Sequence, residues 1–110
     1  MKPRKLNIKT IPATDINRAY RFWRDVFDLP QSGHESGRHL MLDGNDITFV
    51  TGKPTDTLEL LVRDHQEDLL KHLRNNFIPI IGNPEERFGN KIAFKIRDSE
   101  DNVITLEANK

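Results

Sequence analysis

The sequence predicts an α+β fold made of two βαβββ modules, whose strands would form a curved mixed sheet around a cleft. Three observations predict it: each half carries one amphipathic helical stretch, a strand-like segment just ahead of it, and a polar turn followed by a closing strand. The modules divide near residue 53, giving 1–53 and 54–110 within a single domain. A globule of 110 residues should bury roughly two-thirds of the surface that its unfolded chain exposes, so one shared core is enough.

The first strand is expected over residues 6–11. It leads into a helix over 15–27, where Ile16, Ala19, Tyr20, Phe22, Trp23, Val26 and Phe27 recur at helical spacing. Thr14 or Asp15 can cap its first turn, and Leu29-Pro30 closes it, because a residue preceding proline is pushed out of the helical region. Two short strands follow, over 39–42 and 47–51, joined by Asp43-Gly44-Asn45-Asp46, whose glycine and asparagine tolerate the positive φ of a tight hairpin. The second module opens with a strand over 58–62 and a helix beginning at Asp64, which with Glu67 has the spacing of a capping box. Acidic residues fill that helix's first turn and Lys71, His72 and Arg74 lie toward its end, matching the helix dipole. Leu69, Leu70, Leu73 and Phe77 form its expected buried stripe. Strands over 79–82, 92–96 and 103–108 complete the chain, the last two joined across Asp98-Ser99-Glu100-Asp101-Asn102.

The halves correspond element by element, with Asp15 and Asp64 ahead of the helices and Pro30 and Pro79 after them. Ile47-Thr48-Phe49 closes the first as Ile104-Thr105-Leu106 closes the second. Paired, two such units share a core that neither need enclose alone. The alternative is a chance likeness between two αβ segments.

Composition removes whole classes of chemistry. Seventeen basic residues balance 17 acidic ones without a basic stripe, so nucleic acid and anionic membranes are not expected partners. The absence of cysteine excludes a disulfide framework, a thiolate nucleophile and Cys-based metal sites. No apolar run approaches the roughly 20 residues that cross a bilayer, and Met1-Lys2-Pro3-Arg4-Lys5 leads into a strand rather than a signal core, so a cytosolic location and no membrane partner are expected.

The run from Asp15-Ile16-Asn17-Arg18-Ala19-Tyr20-Arg21-Phe22-Trp23 to Leu29-Pro30, and the ending Asp98-Ser99-Glu100-Asp101-Asn102-Val103-Ile104-Thr105-Leu106, resemble motifs of the vicinal oxygen chelate superfamily. That superfamily includes glyoxalases, bleomycin-resistance proteins, extradiol dioxygenases and fosfomycin-resistance enzymes. The resemblance covers nearly the whole chain, with two departures: Ser99 stands where proline is usual and Asp101 where glycine is usual. It implies two βαβββ modules around a cleft, and in metal-dependent members one divalent ion held by four side chains, two on the opening strands and two on the closing ones. Carried over, those positions fall at Ile8, Leu58, Thr48 and Thr105, which offer a divalent ion neither imidazole nor carboxylate. A slip of one residue offers Asn7 or Lys9, Glu59, Phe49, and Glu107 or Leu106, still with at most two carboxylates and no histidine. The expectation is therefore a cleft with no metal and no cofactor.

Other residues carry a sharper and a plainer reading side by side. His34 and His39 are five apart across Ser36-Gly37, a poor helix interior, so a solvated turn is expected rather than a metalloprotease motif. His65 and His72 are seven apart on a largely polar helix face, where surface histidines outnumber ligand pairs. Glu107 shares strand parity with Thr105 and would face the same cleft, as a base or a partner for a cationic group, or else would face solvent. Arg87, Lys95 and Arg97 would give the cleft an anionic preference, although Lys95 and Arg97 also alternate with Ile92, Phe94 and Ile96 as on any half-exposed strand. Tyr20, Phe22, Trp23 and Phe27 read as helix core.

Three functions follow. The first, which the resemblance favours, is a metal-free protein of the bleomycin-resistance type that binds a small organic molecule, with Ile8, His39, Thr48, Leu58, Thr105 and Glu107 as cleft candidates and a homodimer as its assembly. The second is an enzyme, either a metal-dependent lyase or dioxygenase or a metal-free isomerase or hydrolase using Glu107 or His39 as base. The third is an interaction module on a ferredoxin-like plan that uses a strand edge instead of a pocket.

Overall fold

The computed structural model describes residues 1–33 and 37–110. Within them the first half contributes β1 (Pro3–Leu6), β2 (Thr10–Ala13), α1 (Ile16–Val26), β3 (Leu40–Leu42) and β4 (Asn45–Thr51). The second contributes β5 (Leu58–His65), α2 (Gln66–Asn75), β6 (Ile81–Arg87), β7 (Lys91–Arg97) and β8 (Val103–Asn109). The strands form two open mixed sheets, ordered β1-β5-β8-β7-β6 and β2-β4-β3. In each module the strand ahead of the helix runs parallel to the closing strand, β2 beside β4 and β5 beside β8, as a helical crossover requires. Where the second module has β6, the first shows a lone bridge from Gln31 to Leu40.

The single opening strand expected over 6–11 is in fact two, and the reason is that it serves both sheets. β1 pairs antiparallel with β5 as far as Leu6. Asn7 then holds on to the β5 side through its N–H to the Glu59 carbonyl (3.1 Å) and its side chain to the Thr57 carbonyl (2.7 Å). By Lys9 the chain has crossed to the other sheet, its carbonyl accepting the Thr48 N–H at 2.9 Å. The β3–β4 turn is also tighter than the four residues expected. Leu42 pairs with Asn45, leaving Asp43 (φ 50°) and Gly44 (φ 77°) as a two-residue turn with both residues left-handed.

Asp15 caps α1, its Oδ1 accepting the Arg18 N–H at 3.1 Å. The capping box expected at α2 does not form, because Asp64 is drawn to the amino-terminal strand and accepts the Lys2 N–H at 2.7 Å. His65 is the cap instead, with Nδ1 accepting the Glu67 N–H. Phe77 is also not part of the buried stripe. The helix stops at Asn75, the Phe77 N–H turns back to Arg74 and the Ile78 N–H to Leu73, and Phe77 itself adopts φ 58° with its ring in solvent.

One apolar cluster draws on both modules, uniting Trp23 of α1 and Phe27 at its end, Leu69 and Leu73 from α2, and the inward residues of the strands, Ile11, Leu58 and Leu106 among them. Trp23 and Phe27 meet edge to face, 4.7 Å between ring centres. No helix among the described residues is long and apolar enough to cross a membrane.

Candidate functional site

On the second module, β8 alternates strictly. Ile104, Leu106 and Ala108 enter the core, while Thr105 and Glu107 take the opposite face beside Lys95 and Ala93 of β7 and Glu59 and Leu61 of β5. That face is occupied by its own charges. Arg87 at the end of β6 reaches Glu59 (3.3 Å), Glu85 (3.1 Å) and Glu107 (3.8 Å). Its Nε–H toward Glu85 is off the line of a hydrogen bond and is buried without one, so the contact there is ionic. A cavity of about 270 Å³ remains over Thr105, Lys95 and Glu85.

The first module presents a different surface. Thr10 and Thr48 lie opposite each other on β2 and β4 with their hydroxyls 3.4 Å apart. Beside Thr48 opens a cavity of about 570 Å³ lined by Thr14, Asp15, Ile16, Asn17, Arg38, His39, Thr48, Phe49 and Thr51. His39 Nδ1 is 3.4 Å from the Asp46 carboxylate, and the Arg38 Nε–H donates to Asn17 Oδ1 at 2.5 Å across the cavity rim. The amino-terminal turn of α1 forms one wall, and Ile16 from that turn and Phe49 of β4 are the apolar lining.

The six cleft candidates are thus not brought to one place. Thr48 and His39 share the first cavity, whereas Thr105 and Glu107 share the charged face of the second module. Ile8 sits at the crossing between sheets, partly buried against the core, and Leu58 is fully buried within it at 0 % exposure. The register pairs Thr48 with Thr10, two residues from the expected Ile8, and Thr105 with Glu59, one residue from the expected Leu58. Two threonines on one side and a threonine with an Arg-paired glutamate on the other do not fit a divalent ion, and among the described residues no three His, Asp or Glu side chains gather as a ligand set would.

His65 and His72 are engaged separately, the first as the α2 cap and the second with Nε2 2.5 Å from the Val26 carbonyl and 3.8 Å from Asp28. Of the run from His34 to His39, residues 34–36 lie outside the described residues.

What the sequence reading missed is a buried polar knot in the turn after β7. The Glu100 carboxylate accepts the backbone N–H groups of Thr14 (2.9 Å) and Asp15 (2.7 Å), the hydroxyls of Thr14 and Ser99, and the Arg18 guanidinium at 2.8 Å. Burial pushes its pKa upward, but these donors outweigh that and hold it at about 2. Asp98 beside it accepts from Trp23 Nε1 (3.0 Å) and from the backbone of Glu100 and Asn102. Asn102 donates to Asp98 and to the Pro12 carbonyl and accepts the Thr55 N–H. A second-module turn therefore clamps β2 and the start of α1, where Thr14 and Asp15 line the cavity. The available signal was the density of acids and amide in a turn facing an Arg-bearing helix start.

Two modules of this connectivity, joined edge to edge through a shared opening strand, define the vicinal oxygen chelate fold. The chain has that fold, which solved structures share at low sequence identity. An integron cassette protein from V. cholerae matches with a TM-score of 0.75 and 20% identity, over 100% of this chain and 98% of that one. The lactoylglutathione lyase of Agrobacterium tumefaciens matches at 0.67 and 15%, over 90% and 89%. The fosfomycin resistance protein FosX of Listeria monocytogenes, solved with Mn(II) and sulfate, matches at 0.67 and 13%, over 92% and 86%. No protein-family model matches the chain, and no curated protein matches it in sequence.

Proposed function

We propose that this protein binds a small organic molecule in the first-module cavity without a metal ion, as the resemblance to bleomycin-resistance proteins suggests. The carrying observation is the cavity itself. Its volume of about 570 Å³ falls within the roughly 300–1,000 Å³ typical of small-molecule sites. It sets a few convergent polar groups, Thr48, His39, Arg38 and Asn17, against the apolar wall of Ile16 and Phe49. The matching face of the second module is narrowed by Arg87 and its carboxylates to a cavity of about 270 Å³, which leaves the first as the more open half.

Native mass spectrometry of protein purified without added metal tests this directly. A co-purified organic molecule at one per chain supports the reading; one equivalent of nickel, zinc, iron or manganese per chain overturns it. The same spectrum reads the assembly, where a homodimer is expected because a chain of 110 residues would use a second copy to complete its cup.

One observation favours a second reading. His39 lines the cavity with Asp46 3.4 Å from its Nδ1, the arrangement of a general base oriented by a carboxylate. A His39→Gln variant that keeps ligand affinity but stops turnover of the bound molecule would establish it; unchanged turnover would dismiss it.

A further inference from the structure

The crossing of the opening strand leaves a wedge between residues 4–9 and the β3–β4 hairpin, a cavity of about 480 Å³. Its floor is apolar, made by Leu6, Leu42 and Ile47, all buried. Its walls carry three cations, Arg4, Lys5 and Lys9. The pairing of β1 with β5 slips by one residue between Pro3 and Lys5, the mark of a β-bulge, and consecutive Arg4 and Lys5 therefore both line the cavity instead of alternating across the sheet. Lys9 lies where the strand joins β4. None of the three makes an ion pair or side-chain hydrogen bond among the described residues, in a chain whose charges sum to zero and in which Arg18, Arg24 and Arg87 are each held in ion pairs. One carboxylate, Asp43 at the hairpin tip, faces them and leaves the lining with a net charge of plus two, from three cations less one anion.

We infer that this seam is a second binding site, independent of the first-module cavity, for a small phosphorylated organic molecule. A dianionic phosphate matches the net charge, the Arg4 guanidinium offers it a fork of N–H donors and the two ammonium groups offer point charges. The organic body would lie on Leu6, Leu42 and Ile47. A single carboxylate would leave one of the two net positive charges uncompensated.

The probe is phenyl phosphate, titrated by calorimetry into the full chain at low ionic strength, with inorganic phosphate and benzoate alongside. The expected result is saturable binding at one per chain, at least about tenfold tighter than either companion. It should weaken at least about tenfold in the Lys5→Ala/Lys9→Ala double variant and again in about 0.5 M salt, where exposed charges are screened. Both lysines are exposed, so the double variant should keep its melting temperature, and a Lys9→Arg variant should retain binding. A Thr48→Trp variant, which fills the other cavity, should bind phenyl phosphate as the parent does. The assignment fails if phenyl phosphate does not bind, if the double variant binds it unchanged, if Thr48→Trp abolishes binding, or if inorganic phosphate binds equally well.

Discussion

The two modules repeat one connectivity and finish it differently. In the second, four strands lie side by side and the face away from the core is narrowed by its own charges, Arg87 drawing in Glu59, Glu85 and Glu107 beside a cavity of about 270 Å³. In the first, three strands are regular, a lone bridge at Gln31 stands for the fourth, and the corresponding face carries hydroxyls and His39 around an open cavity. A repeated scaffold therefore does not imply a repeated site. The second half gathers charges around Arg87, and the first lines an open cavity, so the proposed ligand is assigned to the first.

The largest effect is expected where the halves meet. Glu100→Gln removes the charge that the Arg18 guanidinium and two backbone N–H groups are arranged to hold. Because folding lowers this carboxyl from its ordinary 4.5 to about 2, its contribution is fully present above pH 4.5 and is lost as pH falls toward 2. Linkage puts that contribution at about 3 kcal/mol. Thermal melts at neutral pH should show the variant lower by roughly 10 °C or more. Near pH 2 the two proteins should melt nearly together. A gap that does not narrow on acidification would mean that the knot contributes by packing and not by charge.

The comparison itself is broken or upheld by placing the same bulky residue in both modules. Thr48→Trp should cost less than about 1 kcal/mol, since its side chain enters open space, and should reduce co-purified ligand at least about tenfold. Thr105→Trp, at a position only 7 % exposed, should cost about 1–3 kcal/mol by overpacking and leave the ligand in place. Ligand loss in the second variant alone would transfer the binding role to the second module. Arg87→Met is expected to matter less, within about 1 kcal/mol by denaturant titration, because Glu59 and Glu85 are about half exposed and ion pairs of that kind contribute little.

The fold was legible because the quantities that set it are periodic. Trp23 and Phe27, Leu69 and Leu73, and the alternating residues of β7 and β8 carry the core, and their spacing needs no knowledge of contacts far along the chain. The site was legible only in part. Thr48 lines the first-module cavity as its strand pattern implies, whereas Ile8 stands two residues from the partner of Thr48 and Leu58 one residue from that of Thr105, because the crossing between sheets at Asn7 is fixed by bonds to Thr57 and Glu59 some 50 residues away. The density of acids in the turn marked the knot around Glu100, but its partners Thr14 and Arg18 stand 86 and 82 residues off in sequence and could not be read. Only Asp101, at φ 64°, shows locally why glycine is usual in that turn.

The helix exits offer a finer comparison of the same kind. Each helix ends with a residue in the left-handed region two positions past its last helical residue, Asp28 at φ 54° after α1 and Phe77 at φ 58° after α2. Aspartate tolerates that region and here also receives the Met1 amino group at 3.0 Å. Phenylalanine does not tolerate it, and at 91 % exposure it recovers almost no burial in return. Phe77→Gly should therefore stabilise the protein by about 1 kcal/mol, because the helix-ending hydrogen bonds are made by the backbone and survive the change. Asp28→Gly, which relieves less strain and discards an ion pair, should gain nothing or lose slightly. Chemical denaturation of the two variants decides it: a loss of stability in Phe77→Gly would mean that the exposed ring is held by a contact in solution, and the open surface at the α2 exit would then be an interface.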